Sequence, residues 1–284
     1  PSSWDEWREW VSASRTRNYV LDDPILDWLD LHGSKKGFEK DTDLPGYNPA
    51  LDFGTFIMGK GNQFESRYMD WLNEFANVVE IGDFKIARSL EAAEQVVTEM
   101  NRGTEIIAQA PLRNPQNLTY GQADLLVRLD VLFRLFPGTR AFEEKHGDLD
   151  SAPPTDEQYR VVDIKFSTIE LLAGGTVSGK NEYKTQIDLY NRALGRIQGF
   201  VPRVAYLGGR GWRRAEDRGE SADDAVHPVL VFGDAKKGVP LGSLTDQAVK
   251  WRREVQLEGL DWDVLPTPSR SELYPNMSNS SDGP

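Results

Sequence analysis

The chain has 284 residues, is 39% hydrophobic and contains no cysteine, so it can bury a sizeable core and excludes disulfides, thiolate zinc sites and iron–sulfur clusters. Its three histidines, His32, His146 and His227, are scattered, which argues against a histidine-rich metal centre. A formal net charge of −12 argues against a protein that coats nucleic acid through bulk electrostatics, so any nucleic-acid track must be local.

Residues 1–54 are Trp-rich and mixed in charge, and are expected to form an N-terminal helical extension. Trp4, Trp7 and Val11 fall at helical spacing. Asp23-Pro24 opens a short helix from Ile25 to Leu31, ended near Gly33, and 33–54 reads as a loop. Asn62 is placed to N-cap a helix running to about Ala76, with Phe64, Tyr68, Trp71, Leu72 and Phe75 as its apolar stripe. A second helix is expected from Ser89 to Asn101, with Leu90, Ala93, Val97 and Met100 inward and Gly103 as its stop. Ile106–Leu112 and Tyr120–Phe133, split by Arg113-Asn-Pro-Gln-Asn, carry a hairpin signal. Residues 136–157 read as a loop insertion, and Tyr159–Phe166 as the next strand. A Gly-rich polar stretch, 173–181, precedes a long helix from about Glu182 to Gln198. Its apolar face is Tyr183, Ile187, Tyr190, Leu194 and Ile197. Arg203–Leu207 and Pro228–Phe232 read as strands, and Thr245–Glu258 as a last helix. Residues 266–284, rich in Pro, Ser and Asn, form an extended or disordered tail. No apolar run is long enough to span a membrane, and Pro1-Ser-Ser-Trp-Asp-Glu-Trp lacks the basic and apolar regions of a secretory signal. An intracellular protein with no membrane partner is therefore expected.

Several polar residues fall where they are costly. Asp124 and Asp163 lie on strands expected to be adjacent, and an aspartate between Val162 and Ile164 is expensive unless paired or metal-bound. Lys165 is two residues on, so it leaves the strand on the face of Asp163. Each has a plain reading as well: a strand-end acid, an acid paired with Arg160 or Lys165, a simple salt bridge. Asn62-x-x-Glu65 is close to a capping box, in which Glu65 would bond back to the helix start. Gln186 and Tyr190 are one helical turn apart and share a face; Tyr190 also fits the apolar stripe, whereas a buried Gln186 needs partners. Arg203, Arg210, Arg213 and Arg214, with Trp212, form the densest basic stretch, either a phosphate track or a solvated loop.

Taken in order, Gly121-Gln122-Ala123-Asp124, Asp163-Ile164-Lys165 and Gln186-x-x-x-Tyr190, with Phe64-Glu65 on a helix upstream, resemble the RecB-like branch of the PD-(D/E)XK nuclease superfamily. The resemblance covers roughly residues 55–210. It implies an α/β, restriction-endonuclease-like core, a mixed central sheet flanked by helices, within a domain of residues 55–265. It also implies a nuclease dependent on one or two Mg²⁺ or Mn²⁺ ions that hydrolyses phosphodiester bonds, with DNA as the expected partner. By resemblance Glu65, Asp124, Asp163 and the Ile164 carbonyl hold metal, and Lys165 acts on the attacking water and the phosphorane. Gln186 and Tyr190 then orient the nucleic acid or the catalytic groups. A non-catalytic nucleic-acid-binding or structural module on the same fold, and an RNA endonuclease, are the alternatives. Further domains of a longer parent protein are compatible with the tail.

Overall fold

The computed structural model describes residues 7–38, 53–82, 86–147, 149, 153–215, 217–219, 225–236 and 238–264. Besides a two-stranded antiparallel pair, Asp234–Lys236 with Val239–Pro240, the strands are β1 (Val11–Ser12), β2 (Val78–Glu80), β3 (Ile106–Asn114), β4 (Thr119–Arg128), β5 (Tyr159–Ile164), β6 (Thr168–Glu170), β7 (Val204–Gly208), β8 (Gly211–Arg214), β9 (Asp217–Gly219) and β10 (Val226–Leu230). The longer helices are α1 (Phe53–Phe75), α2 (Leu90–Asn101), α3 (Leu129–Leu135), α4 (Gly138–His146), α5 (Asn181–Gln198) and α6 (Leu241–Glu258). A seven-stranded sheet runs β10-β7-β5-β4-β3-β2, with β1 added alongside β4. It is mixed: β4 is antiparallel to both β3 and β5, whereas β2 pairs with β3, β5 with β7 and β1 with β4 in parallel. The parallel β5–β7 step needs a long crossover, and α5 supplies it.

Both faces of this sheet are covered. Every residue of β5 is buried, as an interior strand between two helical layers requires. On one face Val161, Ala205 and Leu207 pack with Ile187, Tyr190 and Leu194 of α5 and Val249 of α6. On the other, Leu125, Val127 and Val162 pack with Tyr68 and Leu72 of α1 and with α3. The chain is thus a mixed α/β protein whose central sheet is flanked by helices. Among the described residues no helix is long and apolar enough to cross a membrane.

The structure differs from the sequence expectations at several elements. The helix expected to begin at Asn62 already begins at Phe53, so Asn62 is mid-helix and cannot cap. Gly59 and Gly61 each disfavour a helix by about 1 kcal/mol. Once Tyr68 and Leu72 anchor the far end in the core, however, each added residue needs only propagation, not nucleation. On α2 the inward residues are Ala92, Val96 and Glu99, while Leu90 and Val97 are exposed. Glu99 can be buried because it accepts from Thr104 Oγ1 at 2.6 Å and pairs with Arg102 at 2.7 Å. The strand expected to reach Phe133 stops at Arg128. From there Leu129, Val131, Leu132 and Phe133 are buried on α3, whose first turn is held by Arg128 bonding Asp130. The expected loop 136–157 contains α4, anchored by Glu143. That acid is fully buried and accepts from Arg160 Nε and Nη2, both at 2.8 Å, and from the Tyr206 hydroxyl at 3.0 Å.

In the N-terminal segment the short helix is Ile25–Trp28, followed by a wider π-type turn, Leu29–Gly33. Arg252 of α6 pairs with Asp27 at 2.9 Å, and Trp28 Nε1 donates to the Gly259 carbonyl at 2.6 Å, so this segment docks on α6. Trp4, most of the 33–54 loop and the 266–284 tail lie outside the described residues.

Candidate functional site

The β4–β5 ladder runs from Arg128↔Tyr159 to Leu125↔Val162 and then stops. The next residues in register would be Asp124 and Asp163. At that point β5 stays with β7, pairing Asp163 with Leu207, while the far end of β4 is taken by β1 at Val11↔Thr119. The two acids therefore face each other where neighbouring strands part. The gap is bridged by side chains: Ile164 N–H donates to Asp124 Oδ2 at 2.7 Å. Lys165, its backbone N–H fixed on the Gly208 carbonyl at 2.8 Å, places Nζ 2.7 Å from Asp163 Oδ2 and 3.4 Å from Asp124 Oδ2.

The electrostatics of this cluster are unbalanced. Asp163 has no solvent exposure, and the side chain of Asp124 is 18% exposed. Neither Asp163 oxygen has an aligned hydrogen-bond donor among the described residues, so Lys165 meets it as an ion pair. Burial raises the Asp163 pKa; the Lys165 ammonium opposes this and the Asp124 charge adds to it. For Lys165, burial works against the charged form, yet Asp124 and Asp163 together outweigh it and raise its pKa. With both carboxylates ionised, one ammonium leaves a net negative charge in a low-dielectric site; an uncompensated charge there is costly, and the raised Asp163 pKa reflects that cost.

Glu65 joins them from α1. Its carboxyl is raised first by burial and then by the Asp124 charge, with Lys165 pulling the other way, so the three groups share one field. Because Asn62 is mid-helix, Glu65 has no capping-box role. It accepts instead from Gln109 Nε2 on β3. Gln109 is a residue that the sequence reading passed over. It lies opposite Asp124, between the pairs Ala108↔Leu125 and Ala110↔Ala123, and its φ is +50°. Ala108 and Ala110 should share a face by strand alternation, yet they pack in opposite cores, as do Leu125 and Ala123. The sheet exchanges its faces at Gln109 and Asp124. Gln122 Nε2 holds this point, donating to the carbonyls of Gln109 at 3.0 Å and Gly82 at 3.1 Å. A left-handed backbone at a non-glycine residue costs about 1 kcal/mol. Gln109→Gly is therefore expected to be more stable than Gln109→Ala by about 1 kcal/mol in urea unfolding, since both lose the Glu65 bond and only glycine relieves the backbone. Equal stability of the two would show that the backbone is not strained there.

Gly121 and Tyr190 explain each other. A Cβ at Gly121 would lie 2.5 Å from Tyr190 Cε1 and 3.2 Å from its hydroxyl oxygen, so only glycine lets α5 press this ring against β4. The buried hydroxyl accepts from Gln186 Nε2 at 2.8 Å, and burial, followed by the charge of Asp163, raises its pKa. Gly121→Ala is expected to destabilise by about 1–3 kcal/mol through overpacking. Chemical denaturation should show much of that penalty gone in a Tyr190→Leu background, where the ring carbon is absent. A penalty that persists there would place its cause elsewhere.

All the expected site residues thus converge: Asp124, Asp163, Ile164 and Lys165 in direct contact, Glu65 and Tyr190 in their field, and Gln186 on Tyr190. Among the described residues no group of three or more His, Asp or Glu side chains is arranged to cage an ion by itself. Arg213 and Arg214 of the basic stretch sit apart on a small sheet of β6, β8 and β9, where Arg213 is paired with Glu170 and Arg214 with Asp217, as on a solvated surface. Arg210 reaches back, stacking over Phe166, which in turn packs on Phe64 beside Glu65. Of the acids, Asp124 opens into a cleft of about 820 Å³, whose lining also includes Gln109, Gln122 and Tyr190. Compared with known proteins, the chain matches no family model and has no significant match among curated sequences.

Proposed function

We propose that this protein is a Mg²⁺- or Mn²⁺-dependent nuclease on a restriction-endonuclease-like core, with DNA as its substrate. The main support is the Lys165 ammonium held between two carboxylates at the point where β4 and β5 part. A cation is suited to that position. Asp163 is buried without an aligned donor, and once both acids are ionised the cluster carries one negative charge more than Lys165 neutralises, a charge that a bound cation would offset. Asp124 and Asp163 would hold one or two ions, with Glu65 and the Ile164 carbonyl completing the protein ligands. Few protein ligands suffice for Mg²⁺, which keeps several waters and takes phosphate oxygens. When bound, the ion supplies Lewis-acid polarisation of the phosphoryl group and an acidified water.

The protein groups divide the remaining work. Asp124 and Asp163 favour the ammonium form of Lys165, in which it can donate to a non-bridging phosphate oxygen as charge develops. Tyr190 and Gln186, bonded to each other, orient the groups beside the acids. Water adds to phosphorus, one P–O ester bond breaks, and the leaving oxygen is protonated. The test is cleavage of labelled single-stranded DNA, duplex DNA and RNA in Mg²⁺, Mn²⁺ or chelator, with Lys165→Ala as control. Cleavage of DNA that needs the divalent ion and is lost in the variant is expected. No cleavage of any substrate in Mn²⁺ would sink the proposal, and cleavage confined to RNA would move it to an RNA endonuclease.

A further inference from the structure

We propose that the Arg210 guanidinium, backed by the Phe166 ring, is the stacking surface for a base beside the diester that Lys165 meets. This deepens the nuclease reading and rests on it for the identity of the substrate. Phe166 follows Lys165 directly in the chain, and Lys165 Nζ is 2.7 Å from Asp163 Oδ2. A base joined to a phosphate at that ammonium is therefore within reach of the turn that carries Phe166.

The turn is built firmly. Ser167 N–H bonds back to the Lys165 carbonyl at 2.7 Å, the closure of a three-residue turn at the end of β5, with Phe166 at its tip. The segment after β7 is clamped to it twice. Lys165 N–H donates to the Gly208 carbonyl at 2.8 Å, and Arg210 N–H donates to the Ser167 carbonyl at 3.0 Å. Gly209, between the two clamps, has no room for a side chain: a Cβ there would lie 2.5 Å from Ile169 Cγ1 and 2.8 Å from the Ser167 carbonyl oxygen. The backbone thus sets Arg210 beside Phe166, and its guanidinium carbon lies 5.0 Å from the ring centre. Phe166 is held in turn by Phe64 of α1, with ring centres 5.8 Å apart. Lys165 Nζ lies 5.6 Å from the ring centre of Tyr183 on α5, so the ammonium sits between the two helical layers, with Phe166 and Arg210 on the α1 side.

A guanidinium is planar and delocalised. With one face on a ring, its other face can take a second flat π-system, and bases stack on arginine planes as they do on aromatic rings. Arg210 is exposed whereas Phe166 is only partly so, which makes the guanidinium the outer layer of the stack. Arg213 and Arg214 are arranged differently, with their forks directed at the carboxylates of Glu170 and Asp217. Stacking tolerates any base and needs no long-range field, which suits a chain of net charge −12.

The experiment separates base from phosphate. Binding of an unlabelled thymidine trinucleotide, and of the same backbone with every base removed, is measured by calorimetry in Ca²⁺ for wild type, Arg210→Lys and Phe166→Leu. Lysine keeps the charge of arginine and loses its plane. Wild type is expected to bind the thymidine probe on the order of ten-fold or more tighter than the abasic probe, the scale of one stacked base. In Arg210→Lys that ratio should fall towards one while the abasic probe binds about as well as to wild type. Phe166→Leu should lower the ratio as well, because the guanidinium loses its backing. A ratio unchanged in either variant, an equal loss for both probes in Arg210→Lys, or no base-dependent binding by wild type would overturn the proposal. Hydrolysis of single-stranded thymidine DNA by wild type in Mn²⁺ is read beside it. Base-dependent binding through Arg210 without hydrolysis would leave the stacking surface standing and sink the nuclease reading; hydrolysis with an unchanged ratio would do the reverse.

Discussion

Asp163→Asn is expected to abolish divalent-dependent cleavage while leaving the protein as stable as wild type, or more so, at neutral pH. The loss of activity should be on the order of 10²–10³-fold or more, the scale on which one preorganised electrostatic group acts. The stability half of the expectation follows from the site. Burial raises the Asp163 pKa above its value in the unfolded chain, so the ionised carboxylate disfavours the fold. Below the ordinary carboxylate range both states hold the proton and this group makes no difference. As pH rises from there through neutrality, the unfolded chain releases the proton that the native state retains, and wild type loses stability that the asparagine variant keeps. Lys165 is not left alone in the variant, because Asp124 remains 3.4 Å away. A purely structural salt bridge gives the opposite result: removing one partner of a buried pair costs about 3–5 kcal/mol. Thermal melts of both proteins from acid to neutral pH, beside the cleavage assay, decide between the two. A neutral-pH melting temperature well below wild type with activity retained would make Asp163 a structural acid.

What the sequence disclosed of this site, and what it withheld, divides by the range of the interaction. Asp163 and Lys165 were legible because strand alternation is local: residues two apart share a face whatever the strand packs against. Gln186 and Tyr190 were legible for the same reason on a helix. Gln109 was not. Ile106-Ile-Ala-Gln-Ala-Pro-Leu looks like an uninterrupted buried strand, and the left-handed turn inside it is imposed by β4 and by Glu65, a residue 44 positions away along the chain. Glu143 was hidden by a charged neighbourhood, Glu143-Glu-Lys-His, that resembles a solvated loop until Arg160 is brought to it. The basic stretch reads in sequence as either a phosphate track or a solvated loop. Arg213 and Arg214 are dense in sequence but are paired with Glu170 and Asp217, whereas Trp7, Arg88 and Tyr120 come together from three separate segments. The fold class was visible in the alternation of helix and strand. The positions where strands end or exchange faces depend on long-range partners, and those positions build the site.

Lys165→Ala is expected to lose cleavage and stability together, and divalent metal is expected to restore the stability without the cleavage. Removing the ammonium leaves Asp163 wholly buried beside Asp124 with no counter-charge, a defect of about 3–5 kcal/mol where no relief is available. Two reliefs exist, and each is a measurement. One is protonation: the variant should recover stability as pH falls, because a carboxylate raised by burial and now without its ammonium readily takes a proton in the native state. The other is a cation. Mn²⁺ entering wild type must compete with an ammonium 2.7 Å from Asp163, and in the variant that competitor is gone. Ligand linkage then requires Mn²⁺ to raise the melting temperature of Lys165→Ala by more than it raises that of wild type. The double variant Lys165→Ala/Asp163→Asn should regain most of the lost stability and respond weakly to the ion, since the charge that attracted it has been removed. Cleavage should stay absent in both, because the metal replaces the charge of Lys165 but not its hydrogen bonds to the reacting phosphate. A Lys165→Ala protein as stable as wild type in chelator, and indifferent to Mn²⁺, would show that the two acids hold no metal. Lys165 would then be the only cation the site was built to accept.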